Sequence, residues 1–511
     1  MNAKKVLSLL LALVMALSLV ACGEKEPDDK QPDAEVKYKE CFVIGNGSTL
    51  SETDPMNNNS TQNRQIYEMT HNTLVNYNLN TGEISAGLAK DWDVSDDGLV
   101  YTFYLEEGVT FHNGEPCTAE DVVFSFNRAR ESATLKASLK AIESVEAVDE
   151  HTVKMTLSVN NVEFLIALTN NSVVVLSEAA LAADPEKGGM IGTGPFMMTE
   201  WIPKDYVLLT RYEDYFGELP KSKQIKFRSI PEGSARVIAL QNGEIDLCLE
   251  LPAAEAAHVS DTAGCKLLQM PSTKMVYAAM NISGYNQDVL DVRVRQALNY
   301  ATNPADIITV MTEGYGQPCN GVIAPALWGY SDSVKAYTYD VEKAKQLLAE
   351  AGYNESNPLE ISFSYSAKSF PGMFEVLQAQ WAKAGVNLTL SADTSAVYKP
   401  QLTDLTYDIY QTNCLCTSIG DINVFWHSTS ASNRTRTADP ELDKMLEEAL
   451  TITDKEERLA KYAVISQHLT DNASMIPLYI ETLLIGMGDS VDGLELYGNG
   501  RHVFSYAYAV E

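Results

Sequence analysis

The alternation of apolar and polar positions lays out the first part of the chain. Trp92 and Val94 alternate with polar neighbours, Ser95-Asp96-Asp97-Gly98 carries a tight-turn signal, and Tyr101, Phe103 and Leu105 fall on one face of the following segment. This pattern predicts a β-hairpin. Thr118 then opens a helix to about residue 130, its hydroxyl placed to cap the amide of Asp121, whose carboxylate suits the positive end of the helix dipole. Upstream, Cys41-Phe42-Val43-Ile44 predicts a short strand. Residues 62–74 predict a helix with Ile66, Met69 and Thr73 on one face, and 145–157 predict paired strands about Asp149-Glu150.

A different rhythm runs through the second half. Residues 225–230 and 245–249 read as strands around a helix at 234–241, and the pattern restarts near Met270-Pro271. Asp340 caps a helix whose stripe is Ala344, Leu347, Leu348 and Ala351, ended by Gly352. A strand carrying Ile361, Phe363 and Tyr365 follows. A helix over 374–384 is closed by Gly385, and Val386, Leu388 and Leu390 mark the next strand. A strand at Tyr407-Asp408-Ile409-Tyr410 and amphipathic helices over 440–450 and 455–469 come after it. Strands alternating with helices predict an α/β second lobe with its own sheet.

Composition narrows the class. With 511 residues and 45% hydrophobic content, the chain suits two or three globular domains. A formal net charge of -31 excludes a broad basic face for nucleic acid or anionic headgroups. Lys4 and Lys5 precede an apolar run over 6–20, short for a membrane span and suited to an export signal. Residues 23–37 have the composition of a flexible tether. The run ends in Leu19-Val20-Ala21-Cys22, which resembles a bacterial lipobox; cleavage before Cys22 and lipidation of its thiol would anchor the body to the outer face of the cell membrane.

Of eight cysteines, removing Cys22 leaves seven, an odd number. Cys41 could bridge Cys248 if their strands are neighbours. Cys414 and Cys416 lack the second pair of a zinc site and read as buried small hydrophobes.

Several apparent motifs fail on their own terms. Gly45-Asn46-Gly47-Ser48-Thr49 lacks the Lys-Ser or Lys-Thr of a phosphate loop. Asp93-x-Ser95-x-Asp97-Gly98 starts like a calcium loop but reaches Tyr104 where a bidentate glutamate is required. His112 reads as a turn residue, and no Gly-x-Ser-x-Gly elbow is present. The expectation is no catalytic residue, no metal and no cofactor.

Ordered motifs carry a resemblance. The block from Gly87-Leu88-Ala89-Lys90-Asp91-Trp92 through Phe111-His112-Asn113-Gly114 to Thr118-Ala119-Glu120-Asp121-Val122-Val123-Phe124 is followed by Gly192-Thr193-Gly194-Pro195-Phe196. Asp291-Val292-Arg293-Val294-Arg295-Gln296-Ala297 and Met475-Ile476-Pro477-Leu478-Tyr479 come later. Together they resemble extracellular solute-binding proteins of the dipeptide/oligopeptide/nickel type, the lipoprotein components of ABC importers. Asp54-Pro55 matches the end of that family's Leu-Asp-Pro motif, with Thr53 in place of the leucine.

The resemblance implies a two-lobed α/β periplasmic-binding-protein-like fold of type II with an additional N-terminal α+β subdomain. Its lobe I would comprise 38–57, 190–269 and 480–511, the extra subdomain 58–189, and lobe II 270–479. It implies a monomeric carrier that closes on a short peptide or other small solute and delivers it to ABC permease subunits, with oligosaccharide or a nickel or haem chelate as alternatives. A surface hydrolase is the reading from another class.

The ligand would meet the first-lobe loop at Ser48 and Thr49 and a distant loop at Asn413, Cys416, Thr417 and Asp421, with Asp421 pairing with an α-ammonium. An Asx-turn role in shaping the loop is its alternative. The chain has Asp421-Ile422-Asn423-Val424 where relatives commonly have Asp-Tyr-x-Asp-Pro. Trp426 reads equally as core or ligand contact, and Tyr277 reads as hinge packing ahead of a ligand contact. Lys368, Arg434 and Arg436 are the cations available for a terminal carboxylate, and Arg436 enters the candidate site. Arg293 and Arg295 read as structural ties between a helix and its neighbours.

Overall fold

A computed structural model describes residues 36–58 and 60–511. The export signal, Cys22 and nearly all of the tether lie outside them.

Ten strands form one sheet in the order Val386–Asp393, Leu359–Ser366, Ile409–Leu415, Cys265–Met280, Met475–Gly488, Leu247–Cys248, Cys41–Asn46, Gln224–Ser229, Tyr206–Arg211, Phe196–Ile202. The two long central strands run antiparallel and belong to both halves of the molecule. Their register shifts between Pro271 and Met275, so Ser272 and Thr273 leave the ladder midway along the strand. The apolar pattern restarts near Met270-Pro271, yet the strand does not end there. Proline removes one ladder donor, and a bulge absorbs the loss.

Each half has its own core. Phe42, Ile44, Phe196, Ile225, Phe227 and Phe504 pack together on the first. On the second, one face of the sheet buries Phe363, Phe374 and Trp381, and the opposite face buries Tyr277, Trp426 and Tyr462. A separate four-stranded sheet, Ala89–Val94, Val100–Leu105, Thr152–Leu157, Ile142–Asp149, packs with helix Ala119–Glu131 around Phe103, Phe111 and Phe126. The hairpin forms with Trp92 opposite Phe103.

Thr118 and Asp121 form a reciprocal capping box at the start of helix Ala119–Glu131: the Thr118 side chain meets the Asp121 amide, and the Thr118 amide donates to the Asp121 carboxylate at 2.9 Å.

The Cys41–Cys248 bridge does not form, and all seven described cysteines are free thiols. Their strands are neighbours, as required, but Cys248 pairs with Gly45 in parallel register. Four residues of strand separate the two thiols' backbones by roughly 13 Å, twice what a disulfide spans. Cys414 and Cys416 are buried in the second-half core.

Arg293 and Arg295 tie helix Val292–Tyr300 to its surroundings. Arg293 pairs with Asp291 and donates to the Glu350 carbonyl, while Arg295 donates to the carbonyls of Val289, Leu290 and Asn472. The tail returns to the first half, where Phe504 enters the core and the Lys39 amide donates to the Ala509 carbonyl. No helix among the described residues is long and apolar enough to cross a membrane.

Candidate functional site

The second-half loop begins where strand Ile409–Leu415 ends and turns into helix Asp421–Trp426. Asp421 sits at the first position of that helix. Its Oδ2 accepts from the amides of Thr417 at 2.6 Å and Ser418 at 3.1 Å, which folds residues 417–421 into a tight turn. Oδ1 takes no hydrogen bond among the described residues. Burial pushes the carboxyl above its usual range, against the two amides that pull it down. Cys416 lies behind the turn, and Asn413 is exposed on the strand leading to it.

Tyr277 and Trp426 stand behind this turn, their rings 6.2 Å apart and both 1% exposed. They form core beneath the loop. Arg436 is half-buried with a positive φ of 57°, and its Nε has no partner. It lies beside Tyr407, the far side of the same core, and Arg434 lies near Tyr277. Lys368 is exposed.

Across from this turn is the loop after strand Cys41–Asn46. Ser48 is exposed, and Thr49 is buried with its Oγ1 unpartnered. A hydroxyl enclosed without a partner is costly unless something else supplies the bond.

A polar chain links the two loops through a segment that sequence reasoning did not single out. Asn46 Nδ2 donates to Gln65 Oε1 at 3.4 Å, Gln65 Nε2 to the Gly500 carbonyl at 3.2 Å, and Asn499 Nδ2 to Thr417 Oγ1 at 3.4 Å. The neighbouring Gly498 carbonyl accepts from Thr273 N at 2.9 Å and Ser272 Oγ at 2.7 Å, where the long strand breaks register. The 498–500 turn therefore touches both halves and the crossing point between them. Only its glycines and asparagine marked it in the sequence.

Further contacts close the two halves on each other. The Val162 amide donates to the Leu450 carbonyl at 3.0 Å. Gly82, at φ 69°, lies so close to Trp328 that a β-carbon would meet the ring at 2.9 Å. Lys455 and Arg458 sit over that same ring, at 4.9 and 5.9 Å from its centroid. The two halves thus meet through polar contacts and are joined by two long crossing strands. Among the described residues, no three His, Cys, Asp or Glu side chains gather to hold a metal ion.

Comparison with known proteins agrees with this geometry. Residues 83–436 match the family described as bacterial extracellular solute-binding proteins, family 5 Middle. The chain is 30% identical over 510 residues to Heme-binding protein A of Haemophilus influenzae, covering 90% of this chain and 91% of that one. It is 31% identical over 409 residues to the Dipeptide-binding protein of Escherichia coli, covering 73% and 71%. Among solved structures, the ABC transporter-associated periplasmic binding protein DppA from Helicobacter pylori, in complex with peptide STSA, superposes with a TM-score of 0.77 at 25% identity, covering 93% of this chain and 99% of that one. With the family matched over most of its length and its two lobes joined by crossing strands, this chain belongs to the family 5 extracellular solute-binding proteins of ABC importers.

Proposed function

We propose that the protein captures short peptides between its lobes and delivers them to a membrane permease, held at the outer face of the cell membrane by a lipid on Cys22. The observation that carries the reading is the meeting of the Thr417–Asp421 turn with the first-lobe loop through Asn499, Gly500 and Gln65. In this reading Asp421 Oδ1 takes the peptide's ammonium, and Thr49 and Thr417 take main-chain groups. Asn413 lines the approach, while Tyr277 and Trp426 hold the loop from behind. An extended peptide supplies backbone bonds of its own, so side-chain identity matters little to such a site. Hinge closure then excludes water and strengthens the charge-assisted bond. The relatives named for a dipeptide and crystallised with a tetrapeptide support the peptide class.

A haem or metal chelate is the second reading, favoured by the heme-binding relative that covers 90% of the chain. Native mass spectrometry of protein purified without denaturation, then offered a pool of synthetic tripeptides together with haem, separates the two. The peptide reading expects one intact peptide per protein. Retention of haem alone, or recovery of cleaved peptide only, overturns it.

A further inference from the structure

Glu163 belongs to the first-lobe subdomain, immediately before the short helix Phe164–Ala167, yet its side chain lies against the second lobe. A β-carbon on Gly420 would meet Glu163 Cγ at 2.7 Å, so no ligand atom fits between them. Glu163 is 8% exposed, and its Oε2 has no hydrogen-bond partner. The groups facing it are Tyr77, from strand Val75–Asn78 of its own lobe, and four groups from the second lobe. Those four are Ser418, Asp421 and, on helix Lys455–Asn472, Arg458 and Tyr462. Arg458 is the one cation of this set, and it does not grip the carboxylate. Its Nη1 donates to the Ile452 carbonyl at 3.1 Å, and its Nε is itself without a partner.

Closure therefore brings two acids from opposite lobes together, one of them enclosed with a bare oxygen. An ionised carboxylate buried in this way opposes closure, and a protonated one does not.

Resting on the hinged-cleft reading above, we propose that Glu163 is a proton-linked latch. Closure carries it out of water onto the Gly420 turn beside Asp421, a proton is taken up as it arrives, and the closed form gains population as pH falls. Burial pushes the Glu163 carboxyl above the usual carboxylate range, and the Asp421 charge adds to this. The Ser418 hydroxyl and the Arg458 charge pull the other way. Opening returns the group to water and to its ordinary value. In the window between the two values the closed form holds more protons than the open form, so closure weakens as pH rises through that window.

The test uses the full chain labelled for energy transfer at two exposed positions, Val148 in the subdomain and Val464 in the second lobe. Without any ligand, the closed fraction is expected to rise several-fold from about pH 7.5 to about pH 5. Acidification also relaxes the net charge of -31, so the difference between wild type and Glu163→Gln is what isolates the latch. Glu163→Gln is expected to be closed at least as fully as wild type at about pH 7.5 and to show a flatter response. Asp421→Asn, which keeps an acceptor for the Thr417 amide, is expected to respond less steeply than wild type. A structural brace would instead give Glu163→Gln a lower closed fraction with the pH response intact. That result, or a wild type indifferent to pH, overturns the latch. A distance that changes with a tripeptide pool but not with pH overturns the latch alone; one that never changes overturns the hinged cleft as well.

Discussion

Thr273 Oγ1 donates a 2.6 Å hydrogen bond to the Cys416 carbonyl, while the Thr273 amide donates to the Gly498 carbonyl at 2.9 Å. One buried residue at the break of the crossing strand thus holds both the loop leading to Asp421 and the C-terminal turn. Thr273→Val keeps the shape and leaves the Cys416 carbonyl unpaired. The expected loss is about 1–3 kcal/mol in chemical denaturation, restored by Thr273→Ser. Equal losses in the two variants would show that the hydroxyl bond contributes nothing.

Gly82 packs its backbone directly against the Trp328 ring. At φ 69°, any other side chain is strained in both states, and in the closed state it also strikes the ring. Gly82→Ala is expected to cost about 1 kcal/mol of stability from the backbone alone. It is also expected to weaken ligand affinity several-fold, because the collision exists only when the lobes meet. Thermal melts with and without ligand separate the two effects; an unchanged ligand-induced shift in melting temperature contradicts the second.

Glu68 lies in helix Thr61–Thr70, and burial pushes its carboxyl up to about 8 although the Arg501 guanidinium draws it down. The folded chain then holds a proton that the unfolded chain releases above the ordinary carboxylate range. Stability attributable to this group falls as pH rises through that window, by on the order of 1 kcal/mol per pH unit. Glu68→Gln is expected to flatten the dependence and to be at least as stable as wild type at about pH 7.5. A uniform loss at every pH would mean that the carboxylate is ionised and paired in the fold.

Periodicity made much of the architecture legible. The Asp340 cap is where its spacing predicted, accepting from the Lys343 amide, and the hairpin closes at Gly98. These are local signals, decided within a few residues. The crossing strand was not legible, because Pro271 ends a local pattern while its partner Thr482, 211 residues further on, continues the strand. The site divided the same way. The loop at Asp421 was reached through the family resemblance, by its position after the strand at Tyr407 and by Asp421 following Gly420. The roles of Asn499, Glu163 and Arg458 depend on contacts between segments far apart in sequence, which no spacing rule encodes. Tyr277 and Trp426 could be named, but only packing assigns them to the core behind the loop.

Asp421 is proposed to read the ammonium end of a peptide held between the lobes. Isothermal titration of wild type and Asp421→Asn with a tripeptide, free or N-acetylated, tests it most directly. Asparagine keeps an acceptor for the Thr417 and Ser418 amides, so the loop survives while the charge is removed. The expected result is a loss of about 1.5–3 kcal/mol, roughly 10- to 100-fold, for the free peptide on substitution. The acetylated peptide should bind both proteins equally and weakly. A free peptide held as tightly by Asp421→Asn as by wild type would contradict the claim.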